Sequence, residues 1–370
     1  MHLVALGAEH FRNLATVRLE PHRRFNVLEG RNGQGKTNLL EAVFLLSAFR
    51  SFREARNREL IAWGQDATTV YGEIVRREVA RTVEVGISPK GKRVALDGKT
   101  ITRLPDELAH LNVVLFGPDD LALTKAGPAL RRRFLDRAAY AVWPDYVGAL
   151  RAYAEALKNR NELLRQAAAG RLDAAVVAAF EHALVIHGAR VVARRLEFLA
   201  TFRPHFDRVF EHITEGALRG GLAYRGYAGL QPDADLASLE RGYAAALDEA
   251  RATDLRRGFT SVGPHADDLL FHIDRRSARL YASQGQHRAF VLALKIAELH
   301  RIHEAIGVYP VFLLDDVSSE LDAQRNAQLM SYLDQAGGQV FITTTDRRWI
   351  QVARDDARVY RVEAGVVHPE

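Results

Sequence analysis

Apolar and polar residues alternate over the first twenty positions, with Leu3, Ala5 and Gly7 on one side of Asn13 and Val17 and Leu19 on the other. A period of two predicts a β-hairpin turning near Asn13. A third apolar run, Phe25 to Leu28, ends in a glycine-rich turn, after which Leu39, Leu40, Val43, Phe44 and Ser47 recur at helical spacing. Residues 69 to 101 read as strands with turns at Pro89-Lys90-Gly91-Lys92 and Asp97-Gly98, and Val113 to Phe116 as a buried strand ended by Gly117-Pro118. From 128 to 216 the pattern turns helical, and Pro144, Gly170, Gly188 and Pro204 are expected to divide it into helices of modest length. Beyond it, Leu269 to Ile273 and Arg279 to Tyr281 read as strands and Gln284 to Glu304 as a helix. Val311 to Leu314 is a buried strand, Ala323 to Gln335 a helix, and Val340 to Thr343 another buried strand. Apolar runs of this length alternating with helices imply an α/β fold with a largely parallel sheet.

Composition narrows the class. The 370 residues are 48% hydrophobic and 26% charged, enough for a sizeable core. The absence of cysteine excludes a disulfide scaffold, a thiolate metal site and a cysteine nucleophile, and fits a reducing cytosol. His2, Glu9, His10 and Arg12 interrupt the N-terminus, so no signal peptide is expected. No run of about 18 apolar residues is evident, so no membrane span is expected and the protein reads as soluble and cytoplasmic. The net charge of +5 is carried partly in clusters: Arg50, Arg53, Arg56 and Arg58; Arg131 to Arg133; Arg190, Arg194 and Arg195; and Arg256, Arg257, Arg275, Arg276 and Arg279. Such clusters either track phosphates or form solvated helix faces and internal ion pairs.

The strongest chemical signal is Gly30-Arg31-Asn32-Gly33-Gln34-Gly35-Lys36-Thr37, placed between a strand and a helix. Glycines let the loop curl so that successive N–H groups face a phosphate, and the following helix adds its positive end. Lys36 is positioned for the β- and γ-phosphates of ATP and Thr37 for Mg2+. The apolar run Val311-Phe312-Leu313-Leu314 then delivers Asp315 and Asp316. An acidic residue at such a strand end holds Mg2+, which makes Asp315 the metal-side candidate and Asp316 the candidate base.

Ser283-Gln284-Gly285-Gln286, ahead of a helix and shortly before the acidic strand, resembles the signature motif of ABC ATPases. That resemblance implies that Ser283, Gly285 and Gln286 bind the γ-phosphate of a nucleotide held by the other subunit, although serine and glycine also cap helices. Ser319-Glu320-Leu321-Asp322 resembles the D-loop of the same ATPases, and equally an N-cap for the next helix. Where many ABC proteins place a switch histidine, this chain has Thr343-Thr344-Thr345-Asp346, leaving Thr345 or Asp346 as γ-phosphate sensors.

Five segments in order then resemble the RecF family: Phe11-Arg12-Asn13-Leu14, Asn32 to Asn38 with Glu41-Ala42, Phe116-Gly117-Pro118-Asp119-Asp120-Leu121, Arg131-Arg132-Arg133-Phe134-Leu135-Asp136, and Gly263-Pro264-His265 with Asp267-Asp268. The resemblance implies an ABC-type ATPase head with a mixed sheet and a mainly helical second lobe. Residues 1–125 would form the N-terminal half of the head, 126–255 a helical arm, and 256–370 the C-terminal half. Related chromosome-maintenance heads are split by a long coiled coil; the helical stretch here, roughly 90 residues at 1.5 Å each and broken by Pro and Gly, allows a short arm. The implied function is a slow, ATP-dependent DNA clamp in recombinational repair. Its implied partners are duplex DNA, gapped single-strand/duplex junctions, RecR-like and RecO-like proteins and, indirectly, RecA, and it would dimerise with ATP. The rival readings are the ATP-binding subunit of a membrane transporter and a DNA-binding scaffold that uses ATP structurally.

Overall fold

The alternating N-terminus forms β1 (His2–Phe11) and β2 (Leu14–Leu19), antiparallel with Phe11 opposite Leu14, so the hairpin turns at Arg12 and Asn13. The computed structural model describes residues 1–53, 55–101, 111–170, 174–227, 229–316, 323–350 and 352–370. They divide into two units, Met1–Leu121 with Gln284–Glu370 and Ala122–Ser283.

The first unit holds two sheets. In one, β1 and β2 are joined by β4 (Thr68–Arg76), β5 (Val79–Ser88), β6 (Gly91–Leu96) and β7 (Lys99–Ile101) in the antiparallel order β2-β1-β4-β5-β6-β7. The other contains β3 (Phe25–Glu29), β8 (Val113–Phe116), β12 (Val311–Leu314), β13 (Val340–Thr344), β14 (Ala357–Glu363) and β15 (Val366–Pro369) in the order β15-β14-β3-β13-β12-β8. From β14 to β8 the neighbours run parallel, while β15 returns antiparallel, giving the mixed sheet. β12 and β13 are buried along their whole lengths, which explains their unbroken apolar runs.

Helix α1 (Lys36–Ala48) touches β1, β4 and β5 of one sheet and β8 and β13 of the other. Leu39, Leu40, Val43, Phe44, Leu45 and Leu46 are all buried, so the helix is apolar all round rather than along a stripe. Each such side chain contributes about 1.5–3 kcal/mol on burial, ample to seat a helix that begins in a strained loop. Helix α9 (Gln284–Ile306) and helix α10 (Ala323–Ala336) complete the unit.

The second unit comprises α2 (Ala122–Lys125), α3 (Pro128–Val142), α4 (Tyr146–Ala168), α5 (Ala174–Ala179), α6 (Glu181–Ile213), α7 (Leu236–Arg257), α8 (Ala278–Tyr281) and the sheet β11-β10-β9. Here β9 is Gly220–Arg225, β10 Asp268–Ile273 and β11 Arg276–Ser277. Three expectations change. First, α6 runs for 33 residues straight through Gly188 and Pro204. Gly188 lies against Tyr243, where a Cβ would stand 2.3 Å from the ring, so this glycine serves close packing rather than a break. Pro204 removes a helical hydrogen bond, a cost of about 3 kcal/mol. The buried Phe198, Phe202, Phe206 and Phe210 flank it and offset that cost. Second, Arg279 to Tyr281 is helical, because the tight turn at Asp274 and Arg275 (φ 48° and 65°) leaves β11 only two residues, and Leu280 and Tyr281 are exposed. Third, residues 256–283 cluster with the helical unit, not with the head, because β10 pairs with β9.

The segment Val176–Ile213 is, against expectation, long and apolar enough to cross a membrane by length and composition. Within the unit, α6 instead packs its apolar face against α3, α4, α7 and β9, as a core helix does.

Candidate nucleotide-binding site

The phosphate loop leaves the C-terminal end of β3 and enters α1 at Lys36. Gly35, at the helix N-cap, has φ 113°, a conformation that strains any side chain, and a Cβ there would lie 2.8 Å from Asn13 Oδ1. Lys36 is buried, and its ammonium donates to the carbonyls of Gly30 (2.6 Å) and Arg31 (2.9 Å). With three N–H donors, it keeps one for a phosphate oxygen. Burial lowers its pKa, opposed by the charges of Asp316 and Asp315.

Asp315 and Asp316 stand where expected, at the end of β12. β13 lies between β3 and β12 in the sheet, and this brings Thr343 into the site. The Thr343 hydroxyl donates to Asp315 Oδ1 (2.8 Å) and accepts from the Asp316 N–H (2.8 Å). Thr37 donates to the same Asp315 Oδ1 at 2.9 Å. Burial pushes the Asp315 carboxyl above its ordinary pKa, while the Thr343 and Thr37 hydroxyls and, more weakly, Arg53 pull it back down. Asp316 adopts φ 53°, so the chain turns sharply directly after the metal-side carboxylate. The donor set fits Mg2+: a carboxylate and a hydroxyl whose lone pairs remain available while its proton goes to Asp315, all hard oxygen ligands.

The profile of the RecF/RecN/SMC N-terminal domain family matches residues 2–368. The chain is 45% identical over 371 residues to the DNA replication and repair protein RecF of Anaeromyxobacter sp. (strain Fw109-5), covering 100% of this chain and 99% of that protein. The chain belongs to the RecF family. It is also 42% identical to the protein of that name from Myxococcus xanthus (strain DK1622), covering 99% of this chain and 97% of that one. A solved structure of the recombination mediator protein RecF with ATP in the RecFOR pathway is similar at TM-score 0.91 and 31% identity, covering 100% of this chain and 97% of that one. The Smc head domain of Pyrococcus furiosus, at TM-score 0.58 and 16% identity over 100% and 96% of the chains, shares the fold.

Gly285 and Gln286 lie in the first turn of α9, and Ser283 is exposed immediately before that helix. Further along α9, the buried Lys295 pairs with Asp120 at 2.7 Å, and the other oxygen of Asp120 accepts from the Gly117 N–H, so the Gly117-to-Leu121 segment ties α9 to the end of β8. Asp346 accepts from the N–H and guanidinium of Arg348, which holds its pKa below the ordinary value, while Thr345 is exposed. Ser319 to Asp322, the D-loop expectation, lies outside the described residues.

Arg131, Arg132 and Arg195, from two of the arginine clusters, make internal contacts, while Arg133 and Arg190 of the same clusters are exposed. Arg131 is buried in a two-bond pair with Asp268 (2.7 and 3.0 Å), and Arg132 donates to the Asp267 carbonyl at 2.6 Å. Arg195 is also buried, pairing with Asp136 and donating to the Pro264 carbonyl at 2.7 Å. The segments 131–136 and 263–268 therefore recognise each other inside the second unit, with Arg131 and Arg195 held in internal ion pairs.

Sequence reasoning missed three features of the site. Thr343 reads in the sequence as the end of a strand, with the sensing role at that position falling on Thr345 or Asp346. Glu41, fully buried one helical turn after Thr37, accepts two hydrogen bonds from Arg12 (2.9 and 2.8 Å) and one from Ser51, with Arg53 at 3.6 Å. The β14–β15 turn braces the phosphate loop: the Ala364 N–H donates to Gln34 Oε1 (2.6 Å) and the Gly365 N–H to the Gln34 carbonyl (2.9 Å). Of the three, only Glu41 carries a signal in the sequence, as part of the family resemblance.

Proposed function

We propose that the chain is an ATP-dependent DNA clamp acting in recombinational repair of gapped DNA, in the cytoplasm. The carrying observation is the cluster of Lys36, Thr37, Asp315 and Thr343 at the adjoining ends of β3, β13 and β12 in a RecF-family chain. Loop N–H groups and Lys36 bind the phosphates of ATP, and Thr37 and Asp315 hold Mg2+. Held by those two residues, Mg2+ would supply neutralisation of phosphate charge. Asp316 orients the water that attacks the γ-phosphorus and accepts its proton as ADP leaves. Its side chain is one methylene shorter than the glutamate common in ABC ATPases, and turnover is slow.

Ser283, Gly285 and Gln286 of a second copy complete each site, so ATP favours a closed dimer and shifts that population. Closure brackets duplex DNA near a single-strand gap, and RecR-like and RecO-like proteins link the clamp to RecA loading. The related structure, of a recombination mediator in the RecFOR pathway, supports this reading. The full-length relatives, all repair proteins by name, do not favour the transporter reading.

Sedimentation with and without Mg-ATP and duplex DNA, at two salt concentrations, tests the proposal. A monomer that dimerises with ATP and then carries DNA in a salt-sensitive way supports it. A Lys36→Ala chain that still forms ATP dimers contradicts it.

A further inference from the structure

Trp63 is fully exposed, at 101% of the reference accessibility. It occupies the turn Ala62 to Gln65, closed by a hydrogen bond from the Gln65 N–H to the Ala62 carbonyl at 3.1 Å. Single exposed apolar residues are ordinary on a surface. This one differs in how firmly its turn is held. The Ala62 N–H donates to His10 O (2.8 Å), the Arg12 N–H to Leu60 O (2.9 Å), and Ile61 bridges Phe11. The Arg12 guanidinium then joins the Glu59 carbonyl (2.9 Å) to Glu41, the buried carboxylate one turn beyond Thr37 on α1. A rigid support, linked to the helix that begins the nucleotide site, thus displays an unshielded indole.

Exposed Glu59 and Asp66 stand on either side of this turn in sequence, and exposed arginines outnumber them. Arg56 and Arg58 are exposed, and no ion pair engages either among the described residues. Arg50 is exposed too, and Lys92 of β6 reaches across to the Phe49 carbonyl, bringing a further cation beside it. The short 3-10 turn Asn57–Leu60 packs on β5, so these charges belong to the same unit as the tryptophan. Cations without an ion pair among the described residues, on the unit that also displays an exposed aromatic, match a polyanion with exposed ring faces. Duplex interiors hide their base faces, whereas the unpaired bases at the edge of a gap present them.

We propose that Trp63 stacks on an unpaired base at a gap edge while Arg56 and Arg58 contact the adjoining phosphates. This rests on the DNA-binding reading above and adds to it the surface and the part of the DNA that it reads. Arg56 and Arg58 supply affinity common to all DNA; Trp63 supplies the preference for a gap.

The test measures binding of the full chain, with Mg-ATP, to gapped DNA carrying 2-aminopurine at the gap edge and to the matching unbroken duplex. Trp63→Ala should bind gapped DNA roughly 5- to 150-fold more weakly, from the usual worth of one base–aromatic stack. It should bind the duplex as wild type does and lose the 2-aminopurine quench, and Trp63→Phe should recover most of both. Replacing Arg56 and Arg58 with Ala should weaken both DNAs and make the salt dependence shallower by about two counterions. Because Trp63 is solvated, its replacement should leave folding and DNA-free ATP hydrolysis unchanged. If wild type prefers gapped DNA and Trp63→Ala keeps that preference, the stacking proposal is overturned while the clamp stands. If Trp63→Ala instead abolishes ATP-dependent dimerisation without DNA, the indole belongs to a subunit contact and the proposal is wrong. A wild type that binds neither DNA removes the DNA-binding reading itself.

Discussion

Replacing Thr343 with Val keeps shape and volume and deletes one oxygen. That oxygen makes two bonds in a buried site, donating to the Asp315 carboxylate and accepting from the Asp316 N–H, each at 2.8 Å. A hydrogen bond to a charged group contributes about 1.5–3 kcal/mol, and a buried N–H left unpaired costs about 1–3 kcal/mol. The loss should therefore fall on the geometry of Asp315 and Asp316 rather than on ATP capture by Lys36. Residues that orient a metal ligand in this way typically change metal affinity or activity by about 10- to 100-fold. We expect Thr343→Val to lower kcat within that range and to require more Mg2+ for half-maximal turnover, with ATP binding nearly preserved. Thr343→Ser, which restores the oxygen, should recover most of the activity.

The pH profile separates this from a general loss of packing. Burial already raises the Asp315 pKa and Thr343 opposes that rise, so the Val variant should raise it further. For a carboxyl raised on folding, the associated stability is full below the unfolded pKa and is lost as pH climbs through the folded one. Mg2+ requires the carboxylate, so its affinity should rise with pH through the same window, and that window should move upward in Thr343→Val. A Thr343→Val enzyme with wild-type kcat, Mg2+ dependence and pH profile would refute the assignment.

Gly365→Ala should strike the phosphate loop from its far side. The residue has φ 82° and a Cβ would stand 2.0 Å from the Asn13 carbonyl oxygen, which is backbone and cannot swing away. Displacing the turn that holds Gln34 should cost about 1–3 kcal/mol, or roughly 5- to 150-fold in nucleotide affinity, read by titrating a fluorescent ATP analogue. Gly98→Ala, also at positive φ (76°) but with nothing within 4 Å of the added Cβ, serves as the control. In the second unit, Arg131→Met strands the buried Asp268 carboxylate and should destabilise that unit by about 3–5 kcal/mol in denaturant titration, less whatever Arg225, at 3.3 Å, restores. The double variant Arg131→Met with Asp268→Leu should recover much of that loss.

The elements that carry chemistry were legible because their signals are local. A glycine-rich turn between a strand and a helix, or four apolar residues ending in two aspartates, states its conformation within a dozen positions. The ends of β12, α9 and α10 accordingly fall within two residues of expectation. Long-range features were not legible. In chain order the strands run β3, β12, β13, yet the sheet places β13 between the other two, and only that crossing makes Thr343 a partner of Asp315 and Asp316. Gln34 meets Ala364 across 330 residues of sequence, and no periodicity links them. Charge was the least readable property of all. Arg131 and Arg195 look on paper like the exposed Arg56 and Arg58, but burial beside Asp268 and Asp136 makes them internal struts. Sequence determines which residue types are present and how each short stretch bends. Burial and pairing come from segments that meet only after folding, and these decided which arginines remain free for a partner.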